Sequence, residues 1–143
     1  MTAPGSPLPP AAVLSRKGRG AVAETIARAY LELRGYAFVA RNVRDGPREL
    51  DLIMERGRLV VFVEIKFRAD PRFGGARRAL AIAQRLELER AAVAWLKATG
   101  RYGRPLRFDF IGIEFRAADA GCGEGLVLAH LPAAFGASGR YAF

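Results

Sequence analysis

Two charged residues interrupt an apolar run. Glu64 and Lys66 stand among Leu59, Val60, Val61, Phe62, Val63, Ile65 and Phe67. Charge in such a stretch is costly unless it is paired or holds a ligand. A spacing of two places both side chains on one face of a strand. A hairpin about Arg56-Gly57 lays residues 48–55 against 58–68, with Glu55 opposite Arg58, Asp51 opposite Phe62 and Glu49 opposite Glu64. Glu49, Asp51, Glu64 and Lys66 then share a face, and diagonal neighbours across a ladder lie roughly 7 Å apart. Asp51 and Glu64 are thereby expected to reach one cation. Two carboxylates completed by waters or a phosphate oxygen suit Mg²⁺, with Mn²⁺ as its substitute. Lys66 beside that ion would orient an attacking water or offset charge on a phosphate. The alternative for the same residues is a buried ion-pair network that only keeps the sheet in register.

Two more residues fit around this set. Gln84 interrupts the apolar stripe of a long helix between Leu80 and Leu88. It either hydrogen-bonds into the site or satisfies a buried backbone group. Glu24, on an earlier helix beside Ala27 and Leu31, either binds a metal-coordinated water or is a helix-start carboxylate favoured by the dipole. Arg41, Arg44, Arg48, Arg68, Arg72, Arg77 and Arg78 flank the same strands and loops. They are candidates for phosphate contact, the alternative being solvated surface. His130 has no serine or cysteine nucleophile motif near it, so a triad is not expected. Cys122, the sole cysteine, and Trp95 read as non-catalytic.

The elements that must position these groups follow from periodicity. Val22, Ile26, Ala29, Tyr30 and Leu33 predict a helix over 21–34, stopped by Gly35. A strand is expected over 36–42, a turn at Asp45-Gly46-Pro47, then the hairpin. Apolar residues on both faces make 58–68 a central strand, covered on both sides. A helix over 76–98, a strand over 106–115 and a short edge strand over 126–130 complete the order α, β, β, β, α, β, β. That order predicts an α/β fold of three layers, with a mixed sheet and a helix on each face. Residues 1–17 read as a flexible tail, 18–135 as the folded domain and 136–143 as a C-terminal tail.

Composition bounds the function. A chain of 143 residues can build one core without disulfides. One cysteine excludes a disulfide framework and a four-cysteine zinc site, and fits a reducing, cytoplasmic setting. No apolar run is long enough for a membrane helix. The net charge of +9 makes nucleic acid the first candidate partner. Of 23 basic residues only Lys17, Lys66 and Lys97 are lysine, so a GC-rich coding bias is the competing explanation.

The sequence also shows a family resemblance. It is carried by Glu24 with Ala27, Tyr30-Leu31, Gly35-Tyr36, Arg41-Asn42-x-Arg44, Glu49-Leu50-Asp51-Leu52-Ile53, Phe62-Val63-Glu64-Ile65-Lys66-x-Arg68 and Phe73-Gly74. It continues through Ala91-Ala92, Trp95-Leu96, Arg107-Phe108-Asp109 and His130-Leu131-Pro132-x-Ala134-Phe135. These segments, spread over roughly 18–135, resemble the YraN family of predicted endonuclease-like proteins. That family is similar to restriction-endonuclease-fold nucleases with a PD-(D/E)xK site, and to archaeal Holliday-junction resolvases. The resemblance implies that Asp51, Glu64 and Lys66 are the catalytic acidic–acidic–lysine set and that Glu24 is the helix-borne acid. Glu49 matches the acid of the family's Glu-Ile-Asp segment. Ala23 stands where the family usually has Gly, Phe67 where it has Thr, and Gln84 where a Lys is expected.

The expectation is a Mg²⁺-dependent endonuclease that hydrolyses DNA phosphodiesters, on branched or recombining DNA. Asp51, Glu64 and the Ile65 carbonyl would hold the metal. The rivals are a nucleic-acid-binding module without turnover and an interaction subunit of a DNA-processing complex. Symmetric or double-strand cleavage would need a homodimer, since one site cuts one strand.

Overall fold

The computed structural model describes residues 16–68, 82–116 and 125–135. Along the chain come α1 (Arg16–Glu32), β1 (Ala37–Asp45), β2 (Arg48–Arg56), β3 (Leu59–Arg68), α2 (Ile82–Ala98), β4 (Leu106–Arg116) and β5 (Gly125–Phe135). The strands form one sheet in the order β1-β2-β3-β4-β5. β3 and β4 are parallel, joined through α2, and the other neighbours are antiparallel. α1 packs Ala23, Ala27 and Leu31 against Leu52, Met54, Val61, Val63, Ile111 and Ile113. α2 packs Leu88, Ala91, Ala92 and Leu96 on the opposite face, against Ile53, Val60, Phe62 and Phe108. This is the mixed three-layer α/β arrangement that the element order implies, with β3 central. Among the described residues no helix is long and apolar enough to cross a membrane.

Both helices stop as their sequences say. Gly35 and Gly100 take φ of 88° and 70°, left-handed values that cost glycine little. Around them Tyr36 N–H donates to the Leu31 carbonyl and Gly35 N–H to that of Glu32, and Arg101 and Gly100 repeat the pattern on Leu96 and Lys97. These are the paired closing bonds of a Schellman cap. The start of α1 differs from expectation, at Arg16 rather than Ala21. Gly18 and Gly20 lower helix propensity by about 1 kcal/mol each, but unlike proline they keep the N–H a helix needs. β5 is also longer than the expected 126–130, running to Phe135 across Pro132. Proline is tolerated because β5 is an edge strand, and a register shift between Phe108 and Phe110 absorbs the irregularity.

The hairpin register also differs from expectation. Its turn residues are Gly57 and Arg58, not Arg56 and Gly57, so Arg56 pairs with Leu59 and Leu52 with Val63. Gly57 has φ 60° and takes the first central position, where primed hairpin turns need a positive φ. A one-residue shift of the turn moves the partners by two. The faces are therefore kept, and continuing the ladder sets Asp51 opposite Glu64 rather than opposite Phe62.

Candidate active site

Three elements place the acidic groups. β2 carries Glu49 and Asp51, β3 carries Glu64 and Lys66, and α1 carries Glu24. The β2–β3 register ends at Leu52 and Val63 although both strands continue. There the Asp51 side chain takes over the backbone's role: its Oδ2 accepts the Ile65 N–H at 2.9 Å. This bond fixes the direction of the carboxylate between the strands. Glu64, only 7% exposed, lies against Leu50, Phe62, Leu88 and Phe108. Lys66 Nζ is 3.2 Å from Glu64 Oε1 and is nearly a third exposed.

The electrostatics of the pair are unusual. Burial, then the negative charge of Glu64, pushes the Asp51 carboxyl up from its ordinary range to about 8, against the lowering effect of the Ile65 N–H and of Lys66. The two carboxyls thus compete for one proton or one cation. Among the described residues no three of His, Cys, Asp and Glu gather in one group. The donor set is two carboxylates with the neighbouring Ile65 carbonyl, all oxygen, which fits a hard divalent ion that keeps several waters.

Glu49 does not join this set as expected. It lines a cavity on the α1 side with Glu24, Asn42, Arg44 and Asp51, whereas Glu64 lies against the α2 side. The reason is a slip in side-chain alternation. Leu50 packs with Ile53 under α2, while Leu52 and Met54 face α1. The slip falls at Asp51 and at its β1 neighbour Asn42, one of two non-glycine residues with positive φ among the described residues, at 50°. Asparagine tolerates that conformation better than most residues, the one sequence signal at this position. As a result Asp51 borders both faces of the sheet.

Glu24 sits well inside α1, so no helix-start dipole explains it. Asn42 Nδ2 donates to both its oxygens, at 3.1 and 3.4 Å, and Arg41 Nε lies 3.6 Å away. Arg44 pairs with Glu49 at 3.5 Å and is 77% exposed. Arg48 turns to the other face and pairs with Glu87 of α2 at 3.2 Å. Gln84 is partly buried, and its Oε1 has no hydrogen-bond partner among the described residues. Arg72, Arg77, Arg78, Cys122 and the Phe73-Gly74 segment lie outside the described residues, as does the Arg68 side chain.

A second polar cluster was not read from the sequence as a unit. Asp109, fully buried, accepts from Arg107 Nε at 2.7 Å, Arg107 Nη2 at 2.8 Å and Ala133 N–H at 3.1 Å, with His130 Nε2 at 2.7 Å. Arg107 Nη2 also donates to Tyr36 Oη at 2.7 Å, and His130 Nδ1 is 3.2 Å from Tyr30 Oη. Both ring nitrogens of His130 are engaged.

A three-layer α/β domain with paired carboxylates and a lysine on two adjacent inner strands defines the structural class. Within it, the chain belongs to the uncharacterised protein family UPF0102, the YraN family, whose model matches residues 23–113. A UPF0102 protein of Burkholderia mallei (strain ATCC 23344) is 42% identical over 123 residues, covering 78% of this chain and 85% of its own. One of Burkholderia pseudomallei (strain 668) is 42% identical over 118 residues, covering 75% and 81%. One of Shewanella sp. (strain ANA-3) is 45% identical over 95 residues, covering 66% and 87%.

Proposed function

We propose that this protein is a divalent-metal-dependent DNA endonuclease of cytoplasmic location, acting on branched or recombining DNA. The observation that supports this best is the pair of adjacent carboxylates, with Asp51 anchored on the Ile65 N–H and Glu64 beside Lys66. Asp51, Glu64 and the Ile65 carbonyl would hold Mg²⁺ or Mn²⁺. When bound, such an ion supplies Lewis-acid charge where negative charge develops on a phosphodiester. Asp51 contributes a carboxylate whose aim the backbone fixes. Glu64 contributes a second, desolvated one. Lys66 sets an ammonium at the open edge of the pair, placed to hold a water or a phosphate oxygen. Glu24, held by Asn42 and Arg41, lies across the cavity from Asp51 and is placed to accept a proton from a water. The net charge of +9 draws the polyanion in. Cutting two strands together would require two copies of the chain.

The test is a cleavage panel on linear, single-stranded, flapped and four-way DNA with Mg²⁺ or Mn²⁺, run with wild type and Lys66→Ala. The expected result is metal-dependent cleavage by wild type and a loss of about a hundredfold or more in a variant that stays folded and binds DNA. A variant that cuts as fast as wild type contradicts the assignment. Salt-sensitive binding without cleavage by wild type would leave a binding module instead, and no binding at all an interaction subunit.

A further inference from the structure

The cavity beside Asp51 has a volume of about 520 Å³, within the roughly 300–1,000 Å³ span of small-ligand sites. Its floor is made by Ile65 and Phe67, partly buried side chains that pack on the α1-side core. The first turns of α1 form one wall with Gly20, Ala21 and Ala23, which add little bulk. Among the described residues the cations of its lining are Lys17 and Arg44, both exposed. The phosphodiester chemistry argued above makes no use of the apolar floor.

An aromatic ring beside two cations and an amide has the chemistry of a nucleotide site: a π-face for a base, with positive charge for the adjacent phosphates. Among the described residues three acids share the lining: Glu24, held by Arg41 and Asn42, Asp51, anchored on the Ile65 N–H, and Glu49, from which a phosphate would take over the exposed Arg44. A base inside a duplex is stacked on both faces and cannot reach such a floor, whereas an unpaired base can.

We propose that this cavity receives an unpaired nucleobase, stacked on Phe67, with Lys17 and Arg44 on the flanking phosphates. The inference rests on the nucleic-acid reading above and narrows the substrate to one with an unpaired nucleotide next to the cleaved bond.

The experiment is done without divalent ions, so that cleavage plays no part. Binding of a short single-stranded DNA and of a blunt duplex is measured by fluorescence anisotropy for wild type, Phe67→Ala and Phe67→Leu. Leucine keeps apolar bulk for the core but removes the ring. Both variants are expected to lose about tenfold in affinity for the single strand and to bind the duplex as wild type does. In Phe67→Trp, single-strand binding should persist and quench the new indole, while Trp95 lies on the α2 side and reports no change. Equal losses on both DNAs, or no loss in Phe67→Leu, would overturn the assignment and leave Phe67 as core support. Wild type that binds duplex but not single strand overturns this inference alone. Wild type that binds neither overturns the nucleic-acid reading as well.

Discussion

Asp51 and Asp109 are carboxylates placed between neighbouring strands of one sheet, yet their surroundings are opposite. Asp109 is fully buried and compensated by Arg107, His130 and the Ala133 N–H. Its hydrogen bond holds Arg107 in the charged form well above the ordinary range. Asp51 has one backbone N–H and, as its nearest charge, another carboxylate. A buried charge matched by a guanidinium and further hydrogen-bond partners ties elements together, here β4, β5 and, through Tyr30 and Tyr36, α1 and its C-terminal cap. A buried charge set beside its like is destabilised until something positive arrives. The difference teaches where to look for function: the compensated network is the frame, and the pair of like charges is the site.

The contrast breaks first on stability. Asp109→Ala would leave Arg107 without its carboxylate and should cost roughly 3–5 kcal/mol, read as a lower urea midpoint. A cost below about 1 kcal/mol would mean that the network is not the frame. Asp51→Asn, in contrast, should leave the metal-free protein at least as stable as wild type at pH 8.

Next comes pH. Asp51 moves from 3.8 to about 8 on folding, so between these values the folded state holds a proton that the unfolded state has lost. Stability of the metal-free protein must therefore fall as pH rises through this window, by up to about 1.4 kcal/mol per unit. The slope in wild type minus that in Asp51→Asn isolates the group. Equal slopes would show that Asp51 titrates as an ordinary carboxylate. The smallest effect concerns the rim of the network. Tyr30→Phe removes one 3.2 Å contact to His130 and should cost about 0.5–1.5 kcal/mol in the same denaturation assay. A larger loss would place the hydroxyl at the heart of the frame.

Much of this contrast was legible in the residues. Glu64 and Lys66 betray themselves by interrupting an apolar strand, and Gly35 marks its helix end. Asp51 is legible by counting across the hairpin, and a turn displaced by one residue leaves it on the same face, because a shift of two preserves faces. Glu49 does not share that face, because the alternation of β2 slips at Asp51, beside the positive φ of Asn42, and one backbone angle is invisible to a period-two count. The Asp109 network escaped for a different reason. Its members stand at 30, 36, 107, 109, 130 and 133, and only the β3–β4–β5 pairing with α1 above brings them together. Pro132 hid the length of β5, since proline reads as a strand end although an edge strand accepts it.

The central claim is that Asp51 and Glu64 form a cation site. It is tested most directly by calorimetric titration of Mn²⁺ into wild type, Asp51→Asn and Tyr30→Phe at one pH. The account predicts a saturable event in wild type and Tyr30→Phe that Asp51→Asn abolishes. Identical heats in all three proteins would contradict it.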